Sequence, residues 1–153
     1  MKKSIFTVLL LLEIFTLEAQ EIYVGECSRT ELEKKILANY QIYYDAYEVD
    51  TNFINSFAEI DEDFSIIIVL GAWCSDSEMN VPVFFRVIDL AAFDNQNIRI
   101  FCVDRTKIVE KMELDIEKVP TFIIYRNGEE IGRIVESPTK SMEEDLFEIL
   151  KNN

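Results

Sequence analysis

Apolar and polar positions along the chain recur with two different periods. Residues 29–47, RTELEKKILANYQIYYDAY, set Leu32, Ile36, Leu37, Tyr40, Tyr44 and Tyr47 at helical spacing among strong helix formers. Ser28 stands ready as N-cap, and Glu31 completes a capping box. The tyrosines read as packing, with a ligand surface as the alternative. Residues 51–60 predict a short second helix with Phe53, Ile54 and Phe57 inward. Residues 64–70 are apolar without alternation, as in a central strand covered on both faces. Residues 75–92 return to the helical period through Met79, Val83, Phe84, Val87, Ile88 and Ala91, with Pro82 inside as a kink. A strand over 98–103 and a short helix over 107–114 follow. Strands over 121–125 and 130–135 flank Asn127-Gly128, a hairpin signal. Ser141 and Glu144 then open a last helix that runs to about Leu150. Strand–helix–strand gives a parallel pair and the hairpin adds antiparallel strands. The fold class is therefore α/β, a mixed sheet sandwiched by helices.

Composition narrows the function. With 153 residues, 49% of them hydrophobic, the chain can bury one ordinary core. Twenty-nine acids against 15 bases give a formal charge of −14, which repels phosphate backbones and argues against nucleic acid as a partner. The chain has no histidine, which removes Ser-His-Asp and Cys-His catalysis and every His-based metal site. The N-terminus has the order of a signal peptide: Lys2 and Lys3, an apolar stretch from Ile5 to Leu12, and Ala19 before the expected cut. Glu13 departs from that pattern, and a buried helix or strand is the alternative. The expectation is an exported protein, periplasmic or extracellular, with no stable membrane insertion after cleavage. Export would put its cysteines in an oxidising compartment.

Three cysteines cannot all pair with one another, so at least one is free or bonds outside the chain. Cys74 stands in GAWCSDS, residues 71–77, where the first central strand ends and a helix begins. A thiol there meets unsatisfied N–H groups and the positive end of the helix dipole. Both favour thiolate, the reactive form. Ser77 is placed to turn its hydroxyl toward the same sulfur. Asp76 opposes ionisation unless it points to solvent. A lone cysteine is otherwise a small buried hydrophobe, and position alone leaves both readings open. Cys102, mid-strand in RIFCVDR, reads as buried packing. Cys27 reads as exposed, with Cys74 or an outside partner as its possible mate. Asp104 and Arg105 are a solvated loop pair or, alternatively, orient a substrate or the Cys74 loop.

Over roughly residues 50–152 the chain resembles the thioredoxin-like fold family. The resemblance rests on Trp73-Cys74 at a strand–helix junction, Pro82 eight residues after the cysteine, Val119-Pro120-Thr121 before a strand, and Asn127-Gly128 in the hairpin. WCSDSEMNVPVFF, VDR and EIGRIVESP are similar to a secreted bacterial branch with Trp-Cys-x-Asp-Ser. The resemblance implies a domain at 50–153; the signal peptide at 1–19 and a helical extension at 20–49, read from the residues above, precede it. It also implies a cis Pro120 that lays the backbone of Val119 beside Cys74, free to pair with an extended peptide. Two positions depart from the family. Ser77 replaces the resolving cysteine, and Ile68 stands where the family keeps a buried acid that assists proton transfer.

Two functions follow. In the first, Cys74 performs monothiol thiol–disulfide exchange of an isomerase or deglutathionylation type. Cys74 and Ser77 form its centre, and Trp73, Ser75, Asp76, Val119, Pro120 and Thr121 form its substrate rim. The partner is a disulfide- or thiol-bearing protein or a low-molecular-weight thiol, and neither metal nor organic cofactor is implied. In the second, the same groove is a non-catalytic peptide- or protein-binding module.

Overall fold

The computed structural model describes residues 22–61 and 63–152, so the expected signal peptide lies outside the described residues. The first element is a three-residue strand, β1 (Gly25–Cys27), too short to show a period in the sequence. Ser28 then caps α1 (Arg29–Glu31). Its hydroxyl accepts from the Glu31 N–H, and the Glu31 carboxylate accepts from the Ser28 N–H at 2.8 Å. The single helix expected over 29–47 does not continue. A π turn (Leu32–Ile36) follows, Leu37 is extended, and α2 (Tyr40–Ala46) starts anew. Leu32, Ile36, Leu37 and Tyr40 are all buried. Neighbours such as Ile36 and Leu37 sit about 100° apart on a straight helix. The break lets both enter one core. Glu78 fixes the restart, accepting from the Asn39 backbone N–H at 3.1 Å and its side-chain amide at 2.8 Å.

Next come α3 (Thr51–Ser56), capped by Asp50, then β2 (Phe64–Leu70), α4 (Ser75–Leu90) and β3 (Ile98–Cys102). The hairpin β4 (Thr121–Arg126) and β5 (Glu129–Val135) and the last helix, α5 (Met142–Lys151), complete the chain. Asn127 and Gly128 both take positive φ, 53° and 82°, as a tight hairpin turn requires. The five strands lie in the order β1-β3-β2-β4-β5. β2 and β3 are parallel and the other pairs antiparallel. The result is the expected mixed α/β sheet flanked by helices. Among the described residues no helix is long and apolar enough to cross a membrane.

β2 feeds two cores. Ile66, Ile68 and Leu70 join Phe84, Phe85 and Ile88 of α4, Leu146 of α5 and Leu32 in the larger one. Val69 joins Phe101, Val103 and Ile123 in the smaller. The cover over this second core is a loop, not the helix expected over 107–114. Val109 and Leu114 plug into it, while Lys107 and Lys111 take positive φ, 58° and 64°. Left-handed residues of this kind do not propagate a right-handed helix.

The described part of the expected extension, residues 22–49, is built into both layers of the fold. β1 pairs with β3, and Arg29 bonds both Asp89 carboxylate oxygens on α4, at 2.7 and 2.5 Å. The Tyr44 hydroxyl donates to the same carboxylate at 2.7 Å.

Candidate active site

β2 delivers the chain to Gly71, and a tight turn closed by the Cys74 N–H on the Gly71 carbonyl at 2.9 Å reverses it into α4. Gly71 is required by its neighbour: a Cβ there would lie 2.6 Å from the Trp73 ring. The indole lies across this glycine and donates from Nε1 to the Val103 carbonyl at 3.0 Å. The Arg105 guanidinium sits over the ring, 4.6 Å from its centroid. Arg105 is exposed, as a solvated loop residue would be, and this contact sets its guanidinium against the Cys74 loop. Asp104 instead accepts from the Thr106 N–H and hydroxyl, which hold its carboxyl below the usual range.

Cys74 is the N-cap residue of α4 and is half-buried. Its thiol donates to the Val119 carbonyl at 3.2 Å. The Val119–Pro120 peptide bond is cis. The strap is fastened at both ends. The Thr121 hydroxyl donates to the Lys118 carbonyl at 2.7 Å, and the Pro120 carbonyl accepts from the Glu136 N–H at 2.7 Å. Val119, Pro120 and Thr121 are buried, and the Val119 carbonyl, expected to be free for an extended peptide, is already held by Cys74. Ser75 is exposed at the start of α4 and Asp76 is half-buried. Asn80 reaches from α4 to the Asp76 carbonyl at 3.1 Å and to the Ser137 hydroxyl at 3.2 Å, tying the site to the chain after β5.

Ser77 behaves differently from its sequence reading. It is fully buried, and its hydroxyl oxygen accepts from the Gly71 N–H at 3.2 Å. It makes no hydrogen bond to the Cys74 sulfur among the described residues. The turn after β2 leaves the Gly71 N–H without a ladder partner, and Ser77, one helical turn below Cys74, supplies the acceptor. Ile68 is buried in the larger core, so no carboxylate underlies the site at that position. Trp73, Cys74 and Val119 are thus brought together at the edge of the smaller core, with Ser77 as their structural support.

One pair of residues escaped the sequence reading. The sulfurs of Cys27 and Cys102 lie 3.3 Å apart, and both cysteines are free thiols. Cys27 faces Cys102 and not Cys74. The hydrogen bond between them pulls the Cys102 thiol down and pushes the Cys27 thiol up, with burial adding to the rise at Cys27. Only the pairing of β1 with β3 reveals this contact. Among the described residues no group of three His, Cys, Asp or Glu side chains is placed to hold a metal ion.

Comparison with known proteins agrees with this geometry. A family model described as thioredoxin matches residues 28–148. A thioredoxin of Malassezia sympodialis is 31% identical over 65 residues, 42% of this chain and 61% of that protein. A putative thioredoxin-5 of Dictyostelium discoideum is 34% identical over 71 residues, 45% of this chain and 65% of that protein. The matched stretches thus span just under two thirds of the length of these curated relatives. A crystal structure of a Pseudomonas aeruginosa protein of unknown function shares the fold with a TM-score of 0.52 and 13% identity, covering 82% of this chain and 84% of that one. A cysteine at the N-terminus of α4, a cis-proline strap beside its sulfur and a family match across most of the chain converge: this chain belongs to the thioredoxin family.

Proposed function

We propose that the protein is a monothiol thiol–disulfide exchange protein of a secreted bacterial thioredoxin branch, acting through Cys74. One observation carries the reading. Cys74, half-buried, stands at the N-cap position of α4 with its thiol on the Val119 carbonyl, and the residue three positions on is a serine locked onto the Gly71 N–H. The site can therefore form a mixed disulfide and has no thiol at position 77 to resolve it.

The Cys74 thiol gives its proton to solvent and lets go of the Val119 carbonyl. The sulfur then attacks one sulfur of a substrate disulfide, R–S–S–R′. The Cys74–S–R bond forms as the S–S bond breaks, and R′S⁻ leaves and takes a proton from water. A second thiol, from the same substrate or from a small thiol, attacks the R sulfur and returns Cys74 as thiolate. When that thiol is the substrate's own, the cycle is an isomerisation with no net change in oxidation state. When R is a tripeptide thiol, the cycle removes it from a protein. Trp73, Ser75, Asp76, Val119, Pro120 and Thr121 frame the approach. The release of Val119 by the outgoing proton frees its carbonyl for a bound peptide. The partner is a disulfide- or thiol-bearing protein or a small thiol, met in the periplasm or outside the cell. The chemistry calls for neither metal nor organic cofactor.

The test is trapping. Protein exposed to disulfide-bearing partners is quenched in acid, which halts exchange by protonating thiolates, and run on non-reducing gels. Covalent adducts should accumulate with the unaltered chain, persist in Cys27→Ser and Cys102→Ser, and disappear in Cys74→Ser and after reductant. Adducts that survive Cys74→Ser overturn the reading. A chain that binds the partner but forms no adduct is a binding module.

A further inference from the structure

We propose that Cys27 and Cys102 form a second redox site, a dithiol that closes to a disulfide by exchange with low-molecular-weight disulfides, independently of Cys74. The register of the sheet places them. Gly25 stands opposite Cys102 and Cys27 opposite Ile100, so the two cysteines lie diagonally on one face of an antiparallel pair. Gly25 offers no side chain across from Cys102, and a Cβ at that position would meet nothing within 4 Å. The space across from Cys102 is therefore open, and the two sulfurs meet along the diagonal at 3.3 Å with one thiol donating to the other. On the opposite face of the same two strands Arg99 holds both carboxylate oxygens of Glu26, at 2.8 and 3.1 Å. β1 is thus tied to β3 through an ion pair on one face and a sulfur pair on the other.

The two thiols differ in reach. Cys102 is 2% exposed and Cys27 is half-buried, so a reagent meets the pair at Cys27. Cys27 is the less acidic of the two thiols but the one in reach; its sulfur gives up its proton to solvent and attacks a small disulfide, R–S–S–R. A Cys27–S–R bond forms, and the first R–S⁻ leaves and is protonated. Cys102 then gives up its proton and attacks the Cys27 sulfur. The Cys27–Cys102 bond forms, and the second R–S⁻ leaves and is protonated. Two protein thiols are oxidised by one electron each, and R–S–S–R is reduced to two R–SH. The bond would close a ring across 75 positions of the chain that carries β2, α4 and Cys74 within it.

The site is separate from the Cys74 chemistry. Cys27 and Cys102 pack with the larger core, whereas Cys74 packs with the smaller one. The test uses the folded full chain in excess oxidised glutathione, followed by acid quench, alkylation, digestion and mass spectrometry. The expected product is a Cys27–Cys102 linked peptide, formed equally in Cys74→Ser. Oxidised protein should melt about 10 °C above reduced protein, as closing a ring of this length implies. That gain should vanish in Cys27→Ser and in Cys102→Ser. Recovery of Cys27 and Cys102 only as alkylated or glutathionylated single peptides overturns the proposal. So does a link that forms only when Cys74 is present. Because the linked peptide is read from the unaltered chain, poor folding of a variant leaves the test intact. Cys74→Ser separates its failure from that of the exchange reading.

Discussion

Cys74 at the start of α4 and the Cys27–Cys102 pair on the sheet are thiols of one fold, and their nearest partners set them apart. Cys74 donates to a backbone carbonyl, a group that takes no part in sulfur chemistry, at 3.2 Å. Cys27 meets another sulfur at 3.3 Å. The first is equipped to exchange with a sulfur that arrives from outside, and the second to close on itself. Burial reinforces the contrast. Cys74 sits at a helix start on the rim of the smaller core, and Cys102 lies fully within the larger. What a cysteine can do here is decided by the atom placed opposite it, and residue type alone does not report that atom.

The sharpest way to break the contrast is to give Cys74 a sulfur partner. Ser77→Cys restores the two-cysteine spacing on the first turn of α4. Oxidation should then yield a disulfide between Cys74 and the introduced thiol, and trapped adducts should fall at least about tenfold as that thiol resolves them. The substitution also removes the oxygen that accepts from the Gly71 N–H, and sulfur is a weaker acceptor. Stability should therefore fall by about 1 kcal/mol in the reduced form, read by denaturant unfolding. Adducts that accumulate undiminished, with no internal disulfide, would show that the two side chains point apart.

Gly71→Ala attacks the same site from its support, with a smaller expected effect. A Cβ at 2.6 Å from the Trp73 ring cannot be accommodated without moving the indole. That displacement breaks the Nε1 bond to the Val103 carbonyl and costs about 1–3 kcal/mol. Trp73 is the chain's one tryptophan, so its emission reports the displacement directly. Formation of the Cys27–Cys102 link should be unchanged. A change there would mean that the two sulfur sites communicate across the sheet.

Most of the architecture was legible because its signals are local. The run at 65–70 identified a doubly covered strand, the stripe from Met79 to Ala91 a packed helix, and Asn127-Gly128 a hairpin. Cys74 was legible as well, since strand, turn and helix are consecutive in the chain. What escaped depends on distant partners. β1 is strand only because β3 lies beside it. The helix break at Leu37 comes from a core that accepts both Ile36 and Leu37, and from a carboxylate on α4 that caps the restart. Lysines at 107 and 111 carry no sign of the left-handed backbone that turns an expected helix into a loop. The direction of the Ser77 hydroxyl was misjudged for the same reason. Its closest need is a backbone N–H stranded by the turn, not the sulfur above it.

Arg105→Ala probes the finest difference between the sites, the brace that Cys74 has and the sulfur pair lacks. The guanidinium lies 4.6 Å from the Trp73 ring centroid and is exposed, so the contact is worth about 0.5–1 kcal/mol. Global stability should fall by no more than that, because the indole keeps its bond to Val103 and its seat over Gly71. The local effect should be clearer than the global one. With one face uncovered, Trp73 should be quenched more readily by a neutral quencher such as acrylamide. Adduct formation at Cys74 should change by less than about threefold, since the sulfur's own partner, the Val119 carbonyl, is untouched. Arg105→Lys keeps the charge and loses the flat stacking face, so it should restore only part of the protection. Equal quenching of Trp73 in all three proteins would show that Arg105 does not brace the ring in solution. A tenfold loss of adduct with quenching unchanged would instead place the guanidinium in contact with the partner.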